Sequence, residues 1–494
     1  MSERTESDQR ADPAPGQLPD GGKQPVQSRL IIAVVSLAIL TFLGILSETS
    51  LNIAYSTLMQ EFAIEASVVQ WLTTGYLLLL SVAIPASPFM VRRFATKTLF
   101  IAAVLIFTAG TVLGAFATSF LLLLAARLVM ALGTGISLPL ITNIILEKAP
   151  LEQRGAMLGI VSLVTCAAPA IGPVFGGIVM EFLNWHWIFY TMLPFLVVSF
   201  LMGMATVPEI RHAGDREQAS ISVPSMILVA LGLSGLIVAV SFFATWQGDW
   251  RFWTVLVASV VVLAGFVMVQ LKMSEPLVQV RVFAYSGFSL GMLILLMASG
   301  SVLGLNFLLP IVLQRGFGMS SLAAALTLLP GAVVGAISAP LIGGSLKSHF
   351  PPKFIVIGFV AVTLMDALFI AVTGNIWVIA VAYAAFMAFS GFVLVPDQTH
   401  ALNQLPGQLN ADGSAVMNTV QQMAGAIGTA VASALVTEFA VAQSAAGESV
   451  ADSYMHAFTQ SMWVIGGMAV VGALLAALMF RYSTRRPPEL TEVG

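Results

Sequence analysis

The stretch Leu30–Ile45 reads LIIAVVSLAILTFLGI and contains no charged residue. Similar runs follow along the chain, among them Leu99–Ala117 and Val255–Leu271. A helix needs about 20 predominantly apolar residues to span the roughly 30 Å hydrocarbon core of a bilayer, and it satisfies its own backbone hydrogen bonds there. These runs therefore predict an all-α integral membrane protein.

The composition supports the same class. Of the 494 residues, 58% are hydrophobic and only 9% are charged, whereas a soluble protein carries about 25% charged residues. The net charge of −3 gives no reason to expect a nucleic-acid partner. Because Cys166 is the one cysteine and lies in an apolar run, neither a disulfide nor a cysteine metal site is expected. We predict no metal and no other cofactor.

Apolar runs between polar breaks predict fourteen transmembrane spans. The predicted spans are 30–57, 68–91, 98–117, 120–146, 155–180, 187–207, 223–245, 252–271, 286–314, 321–346, 354–373, 376–402, 412–440 and 458–480. Basic residues favour cytoplasmic loops. With the amino terminus inside, 18 of the 21 Lys and Arg residues fall in cytoplasmic segments. We therefore expect a multi-pass protein of the cell (inner) membrane with both termini cytoplasmic.

The two ends of the chain repeat each other at a nearly constant offset. Pro85, Phe94 and Lys97 are matched by Pro340, Phe350 and Lys353, at offsets of 255 to 256. The repeat predicts two pseudo-symmetric bundles of six helices with two extra helices between them, and such halves commonly bind substrate where they meet. The expected divisions are a disordered cytoplasmic tail at 1–28, an N-terminal bundle at 29–207, a two-helix linker at 208–283, a C-terminal bundle at 284–480 and a cytoplasmic tail at 481–494.

The fifth span carries a spaced set of small residues. The pattern is Gly, eight residues, a small residue, three residues, Gly-Pro, two residues and Gly-Gly. Its members are Gly159, Ala168, Gly172, Pro173, Gly176 and Gly177. Small residues let membrane helices approach closely. With one alanine in place of a glycine, this pattern resembles the antiporter motif of a family of membrane transporters.

Other segments carry the same resemblance. Arg127 lies in a segment similar to Arg-x-x-Gln-Gly-x-Gly, and Trp71–Tyr76 and Trp185–Phe189 also match family segments. In the loop after the second span, only Arg93 and Lys97 remain of the usual charged motif. The chain resembles the drug:proton antiporters of the major facilitator superfamily, in the fourteen-helix branch, and is most similar to lincomycin-resistance-like bacterial multidrug exporters.

The resemblance implies a fold and an activity. The fold is the major facilitator fold, with 6+2+6 transmembrane helices. The activity is proton-coupled efflux, by antiport, of lipophilic and often cationic drugs through alternating access. An exporter of an endogenous metabolite, lipid or antibiotic stays an open alternative, and so does a subunit of a tripartite pump. We expect no enzymatic activity, because no nucleophile motif, metal-ligand spacing or nucleotide-binding loop is present.

Three charged residues within spans are candidates for proton coupling, since charges in a bilayer are costly and usually functional. Glu48 has no basic neighbour within one helical turn. Removal from water disfavours a charged carboxyl, so Glu48 can carry a proton. Arg127 lies at a similar depth and is expected to tune the proton occupancy of the first bundle. Asp366 lies roughly 20 Å deep in its span at 1.5 Å per residue, as a second proton site or an attraction for cationic drugs.

Uncharged polar residues within the spans are candidates for substrate binding, together with Glu48, or for hydrogen bonds between helices. They share positions on predicted helices that can face a central cavity, and they are Asn52, Asn306, Asn418, Gln421 and Gln422. Asp397 and His400, near a cytoplasmic helix end, are expected at the solvated interface, with a gating role as the alternative. The expected partners are a small lipophilic substrate, protons and the lipid bilayer. We expect a monomer and leave an adaptor protein open.

Overall fold

The computed structural model describes residues 28–210, 222–246, 249–273, 276–345, 353–372, 374–406, 409–445 and 447–485. Within these ranges the chain forms helices and no strand. Of the tails predicted at 1–28 and 481–494, residues 1–27 and 486–494 lie outside the described residues, whereas residues 481–485 are helical. The domain divisions expected from the repeat stay predictions.

Fourteen long helices follow one another in the described ranges. They are α1 (Ser28–Glu61), α2 (Trp71–Arg93), α3 (Thr96–Ala115), α4 (Phe120–Lys148), α5 (Leu151–Phe182), α6 (Met192–Thr206), α7 (Val223–Ser241), α8 (Trp250–Lys272), α9 (Ser286–Arg315), α10 (Ser321–Ser345), α11 (Lys353–Ala371), α12 (Ile376–Asn403), α13 (Asn410–Ala445) and α14 (Val450–Arg485). Short helices precede α2 and α6, at Ala66–Val69 and His186–Tyr190.

The length and hydropathy of these helices confirm the membrane class. Thirteen segments of the described chain are long and apolar enough to cross a bilayer, and α5 adds the shorter apolar segment Ala167–Phe182. Most helices coincide with the predicted spans within a few residues. The last helix is longer than expected, since α14 continues to Arg485. We call the membrane side on which α1 begins, at Ser28, the near side, and the side on which it ends, at Glu61, the far side.

The helices form two bundles with the same internal packing. In the first bundle α1 packs on α4, α5 and α6, while α4 packs on α2 and α3. In the second bundle α9 packs on α12, α13 and α14, while α12 packs on α10 and α11. Each of these contacts in the first bundle thus has its counterpart eight helices later. This arrangement confirms the 6+2+6 organisation that the repeat predicts.

Small residues set how closely the helices approach. A Cβ added at Gly428 on α13 would lie only 2.1 Å from the carbonyl oxygen of Gly300 on α9. A Cβ added at Gly133 on α4 would lie 2.7 Å from the carbonyl oxygen of Ala103 on α3. The glycines therefore permit backbone contact that any side chain would prevent, as expected for packing in lipid.

The extra helices α7 and α8 cover a junction between the bundles. Where α2 meets α13, Val82 of α2 packs in one apolar cluster with Leu233 of α7 and Phe266 of α8, and Met423 of α13 packs against it. Gln70, just before α2, donates a hydrogen bond of 3.0 Å to Ser241 at the end of α7. Helices α7 and α8 are therefore attached to both bundles, although no role for them could be predicted from the sequence.

Candidate functional site

Arg127 on α4 is the centre of a polar cluster inside the first bundle. Its side chain is fully buried. Its Nη1 donates to the Ser47 hydroxyl of α1 at 2.8 Å, and its Nε donates to the Leu72 carbonyl of α2 at 3.2 Å. The guanidinium carbon lies 4.1 Å from the centre of the Tyr76 ring. One arginine therefore fixes three helices around the middle of α1.

Glu48 lies next to this cluster. It directly follows Ser47, its side chain is half-buried, and it lies within electrostatic range of Arg127. Among the described residues, no ion pair within 4 Å joins the Glu48 carboxyl to a basic group. Arg127 Nη2 is buried without a hydrogen-bond partner in the described part of the chain. The carboxyl and the guanidinium are thus neighbours that do not neutralise each other by direct contact.

Asn52, one turn beyond Glu48, ends a short chain of hydrogen bonds. Thr73 of α2 donates to Asn52 Oδ1 at 3.1 Å. The Thr73 hydroxyl is in turn hydrogen bonded to Tyr55. Since the Thr73 proton is used toward Asn52, Tyr55 is the donor in that bond. The structure thus brings Glu48, Arg127 and Asn52 together, as the sequence predicts.

The glycine motif of α5 lies directly against this part of α1. The Ser50 hydroxyl donates to the Gly172 carbonyl at 2.9 Å. A Cβ added at Gly176 would lie 2.5 Å from the Ser50 carbonyl oxygen. A Cβ added at Gly177 would instead meet α10 of the second bundle, 2.6 Å from Ala325 Cβ. One turn of α5 therefore contacts both the Glu48 region and the opposite bundle.

The predicted substrate residues of the second bundle are dispersed. Tyr383 of α12 donates to Asn306 Oδ1 at 2.8 Å. On α13, Gln421 accepts a weak hydrogen bond of 3.4 Å from Gln398, Gln422 is half-buried, and Asn418 is exposed.

Asn306 lies closer to the first bundle. It is next to Phe307, whose ring centre is 5.6 Å from that of Tyr55 on α1. Of these residues, Asn306 is the one that the structure brings to the α1 cluster.

Asp366 is buried away from this cluster. Its helix α11 packs on α12 and α14 of its own bundle. Its side chain is 1% exposed, and neither carboxyl oxygen has a hydrogen-bond partner among the described residues. Gly466 of α14 faces it. Asp366 therefore lies on the outer part of the second bundle, and the sequence could not reveal this orientation.

The expected position of Asp397 at a solvated interface is wrong. The side chain is fully buried, and its oxygens have no partner in the described part of the chain. The reason is Gly291 on α9, where an added Cβ would lie 2.6 Å from Ala401 Cβ and 3.4 Å from Asp397 Oδ1. Because the glycine lets α9 approach α12, the carboxyl is covered. His400, one turn further, is half-buried.

Hydrogen bonds join the bundles on the far side. Gln314 and Arg315, at the end of α9, both bind the last turns of α1. Gln314 donates to the Ile53 carbonyl at 2.9 Å, and Arg315 donates to the Ser56 hydroxyl and carbonyl at 3.1 Å each. Near them, Ser433 of α13 donates to the Ala66 carbonyl at 2.8 Å. These contacts close the far side between the bundles.

Several residues of these networks were not selected from the sequence. They are Ser47, Tyr55, Thr73, Tyr76, Gln314 and Tyr383. One signal was available for Tyr383, because its offset from Arg127 is 256, which is the offset of the repeat. The hydroxyl residues carried no such signal, since Ser and Thr are frequent in membrane helices.

The comparisons with known proteins agree with the fold. The chain is 39% identical over 416 residues to the lincomycin resistance protein LmrB of Bacillus subtilis (strain 168), covering 83% of this chain and 86% of that protein. It is 36% identical over 462 residues to the protein of the same name from Listeria monocytogenes, covering 92% and 97%.

A solved structure gives the same architecture at low identity. A bacterial homolog to the human lysosomal transporter Spinster superposes with a TM-score of 0.68 at 16% identity, covering 94% of this chain and 99% of that one. The sequence model of the family described as Major Facilitator Superfamily matches residues 37–429 of this chain. With its two six-helix bundles, this multi-pass membrane chain therefore belongs to the Major Facilitator Superfamily of transporters.

Proposed function

We propose that the protein exports lipophilic, often cationic drugs in exchange for protons. The observation that carries the proposal is the cluster of Glu48, Arg127 and Asn52 in the first bundle. Glu48 and Asn52 lie on α1, which contacts α9 and α10 of the second bundle. A carboxyl that is half-buried and lacks a direct cationic partner can bind either a proton or a cationic substrate. The similarity to lincomycin resistance proteins supports drug efflux.

The proposed cycle is alternating access around this cluster. The near side is cytoplasmic by the distribution of basic residues, so substrate enters there and a proton enters from the far side. Protonation of Glu48 removes the charge that attracts a cation, and substrate is released outward. Asp366 is a second candidate proton site, and it would act within its own bundle. Gln421, Gln422 and Asn418 stay proposed substrate contacts of α13.

The α5 motif is the proposed connection between proton binding and movement. Gly172 and Gly176 contact Thr49 and Ser50, the two residues after Glu48, while Gly177 contacts α10. A shift of α1 on protonation would therefore press on α5 and change its contact with the second bundle. Pro173, which lies within α5, leaves a backbone carbonyl without its usual donor and so permits bending there.

Transport by purified protein in liposomes tests the proposed function. The probes are tetraphenylphosphonium and lincomycin, with the membrane potential held at zero by potassium and valinomycin. We expect uptake into liposomes with an acidic interior, and loss of uptake when a proton ionophore collapses the gradient. Uptake that is equal with and without the gradient would exclude proton coupling.

Gly176→Ala is expected to impair both folding and transport. The added methyl group would overlap the Ser50 backbone, which cannot rotate away as a side chain can. Overpacking of this kind costs about 1–3 kcal/mol. Thermal melting in detergent and uptake in liposomes measure the effect. Gly467→Ala is the matched control, because no atom lies within 4 Å of its added Cβ. Equal melting temperatures for the two variants would contradict the packing assigned to α5.

Arg315→Ala is expected to loosen the far side. Interhelical hydrogen bonds in membranes contribute about 0.6 kcal/mol on average. Losing two of them should shift the equilibrium toward separation of α1 from α9 by roughly 1 kcal/mol, which is about fivefold in the equilibrium constant. Disulfide formation between cysteines placed at Ser67 and Thr437, in a Cys166→Ser background, reports the closed contact, since Ser67 N lies 3.0 Å from Thr437 Oγ1. We expect less crosslinking in Arg315→Ala and no change in Arg251→Ala. Unchanged crosslinking in Arg315→Ala would refute a closing role.

A further inference from the structure

Two asparagines occupy matching places in the two bundles. Asn52 lies on α1 and Asn306 on α9, and 306 minus 52 gives an offset of 254, close to that of the repeat. Each lies nine residues before the far-side end of its helix, at Glu61 and Arg315. The two helices contact each other between the bundles, where the Tyr55 and Phe307 rings meet. The asparagines are therefore at the same depth on neighbouring, opposed helices.

In both asparagines the carbonyl oxygen is already used. Thr73, oriented by Tyr55, donates to Asn52 Oδ1, and Tyr383 donates to Asn306 Oδ1. Tyr383 is itself the repeat counterpart of Arg127, at an offset of 256. Hydroxyl donors thus hold each amide in one orientation. A primary amide has one acceptor oxygen and two N–H donors, so the group left over on each side is a donor.

Neither amide nitrogen has a hydrogen-bond partner among the described residues. Both side chains are half-buried. Helix α1 is surrounded by α4, α5, α6 and α9, and α9 is surrounded by α1, α12, α13 and α14. Because these neighbours separate both helices from lipid, the exposed part of each asparagine faces the space between the bundles.

We propose that Asn52 and Asn306 form a pair of hydrogen-bond donors that selects substrates with acceptor oxygens, such as ethers, carbonyls and hydroxyls. Tyr383 and the Tyr55–Thr73 pair are positioning residues that keep the amide oxygens turned away. The proposal rests on the proposed function, since it concerns the substrate of the same site. It adds a selection by neutral hydrogen bonding to the attraction that Glu48 provides for a positive charge.

Two matched cations test this selection. Triphenyl(4-methoxyphenyl)phosphonium carries one ether oxygen, and triphenyl(4-ethylphenyl)phosphonium has a methylene group in its place, with the same charge and nearly the same shape. Binding to the purified full-length protein is measured by titration calorimetry. We expect the methoxy compound to bind about fivefold more tightly to the wild type, as one net hydrogen bond provides.

The variants separate a selective role from a structural one. Asn306→Leu and Tyr383→Phe should each reduce the preference for the methoxy compound, and a preference as large as that of the wild type in both variants would overturn the proposal. Tyr285→Phe, an exposed tyrosine before α9, should preserve the difference. Equal binding of both compounds to the wild type, or no binding of either, would overturn the proposal. Gradient-driven uptake of lincomycin, measured separately, decides the proposed function, so the two failures are distinguishable.

Discussion

Replacing Glu48 with glutamine is expected to abolish gradient-driven export and leave the protein folded in the membrane. Glutamine keeps the size of the side chain but resembles the protonated form permanently. The attraction of a carboxylate for a cation 6 Å away is roughly 3 kcal/mol at an effective dielectric constant of about 20, or about 100-fold in Kd. The variant should therefore lose both the proton exchange and most of its affinity for cationic drugs.

Uptake of tetraphenylphosphonium into liposomes measures this effect. Glu438→Gln is the matched control, because Glu438 is an exposed residue of α13. The control should retain transport. Asp366→Asn shows whether the buried carboxyl of α11 contributes, and a partial loss is expected if it does. Gradient-driven uptake by Glu48→Gln at the wild-type rate would remove Glu48 from the mechanism.

Replacing Arg127 with lysine is expected to impair transport nearly as much as replacing it with methionine. Lysine keeps the positive charge, but an ammonium group lacks the planar fork that binds two acceptors at fixed angles. In the structure the fork holds Ser47 and the Leu72 carbonyl while the guanidinium lies over Tyr76. Losing two interhelical bonds costs about 1–3 kcal/mol, and α1 would lose its fixed register around Glu48.

Melting temperature and transport rate distinguish the two roles of Arg127. If only the charge of Arg127 matters, the Arg127→Lys variant retains transport and the Arg127→Met variant does not. If the fork positions α1, both variants transport slowly and melt earlier than the wild type, which is the expected result. Arg251→Lys is the control, since Arg251 lies in the first turn of the extra helix α8 and outside the cluster. Full activity of Arg127→Lys would contradict the positioning role.

The membrane fold could be predicted largely from the sequence. Apolar run length fixes which segments are helices in lipid, because a helix is the arrangement in which one continuous apolar segment satisfies all of its own backbone hydrogen bonds. The repeat added the pairing of helices, and it correctly placed α7 and α8 between the halves. The proximity of Glu48 to Arg127 could be predicted from two observations. The repeat places both helices in one bundle, and the two residues lie at a similar depth in their helices.

Orientation around each helix axis could not be predicted in the same way. Nearly every face of a membrane helix is apolar, so no amphipathic pattern shows which face is inside. Asp366 therefore gave no sign that it points toward α14, and Asn418 gave none that it is exposed. The burial of Asp397 depends on a glycine more than 100 positions earlier, Gly291 on α9. Such contacts arise from tertiary packing.

Proton release on drug binding tests the central proposal most directly. Purified protein in weakly buffered detergent solution is mixed with tetraphenylphosphonium, and a pH-sensitive dye reports the change in free protons. If substrate and proton compete at Glu48, the wild type releases protons in proportion to bound drug, and Glu48→Gln releases none. Drug binding without proton release by the wild type, or undiminished release by Glu48→Gln, would contradict the proposal.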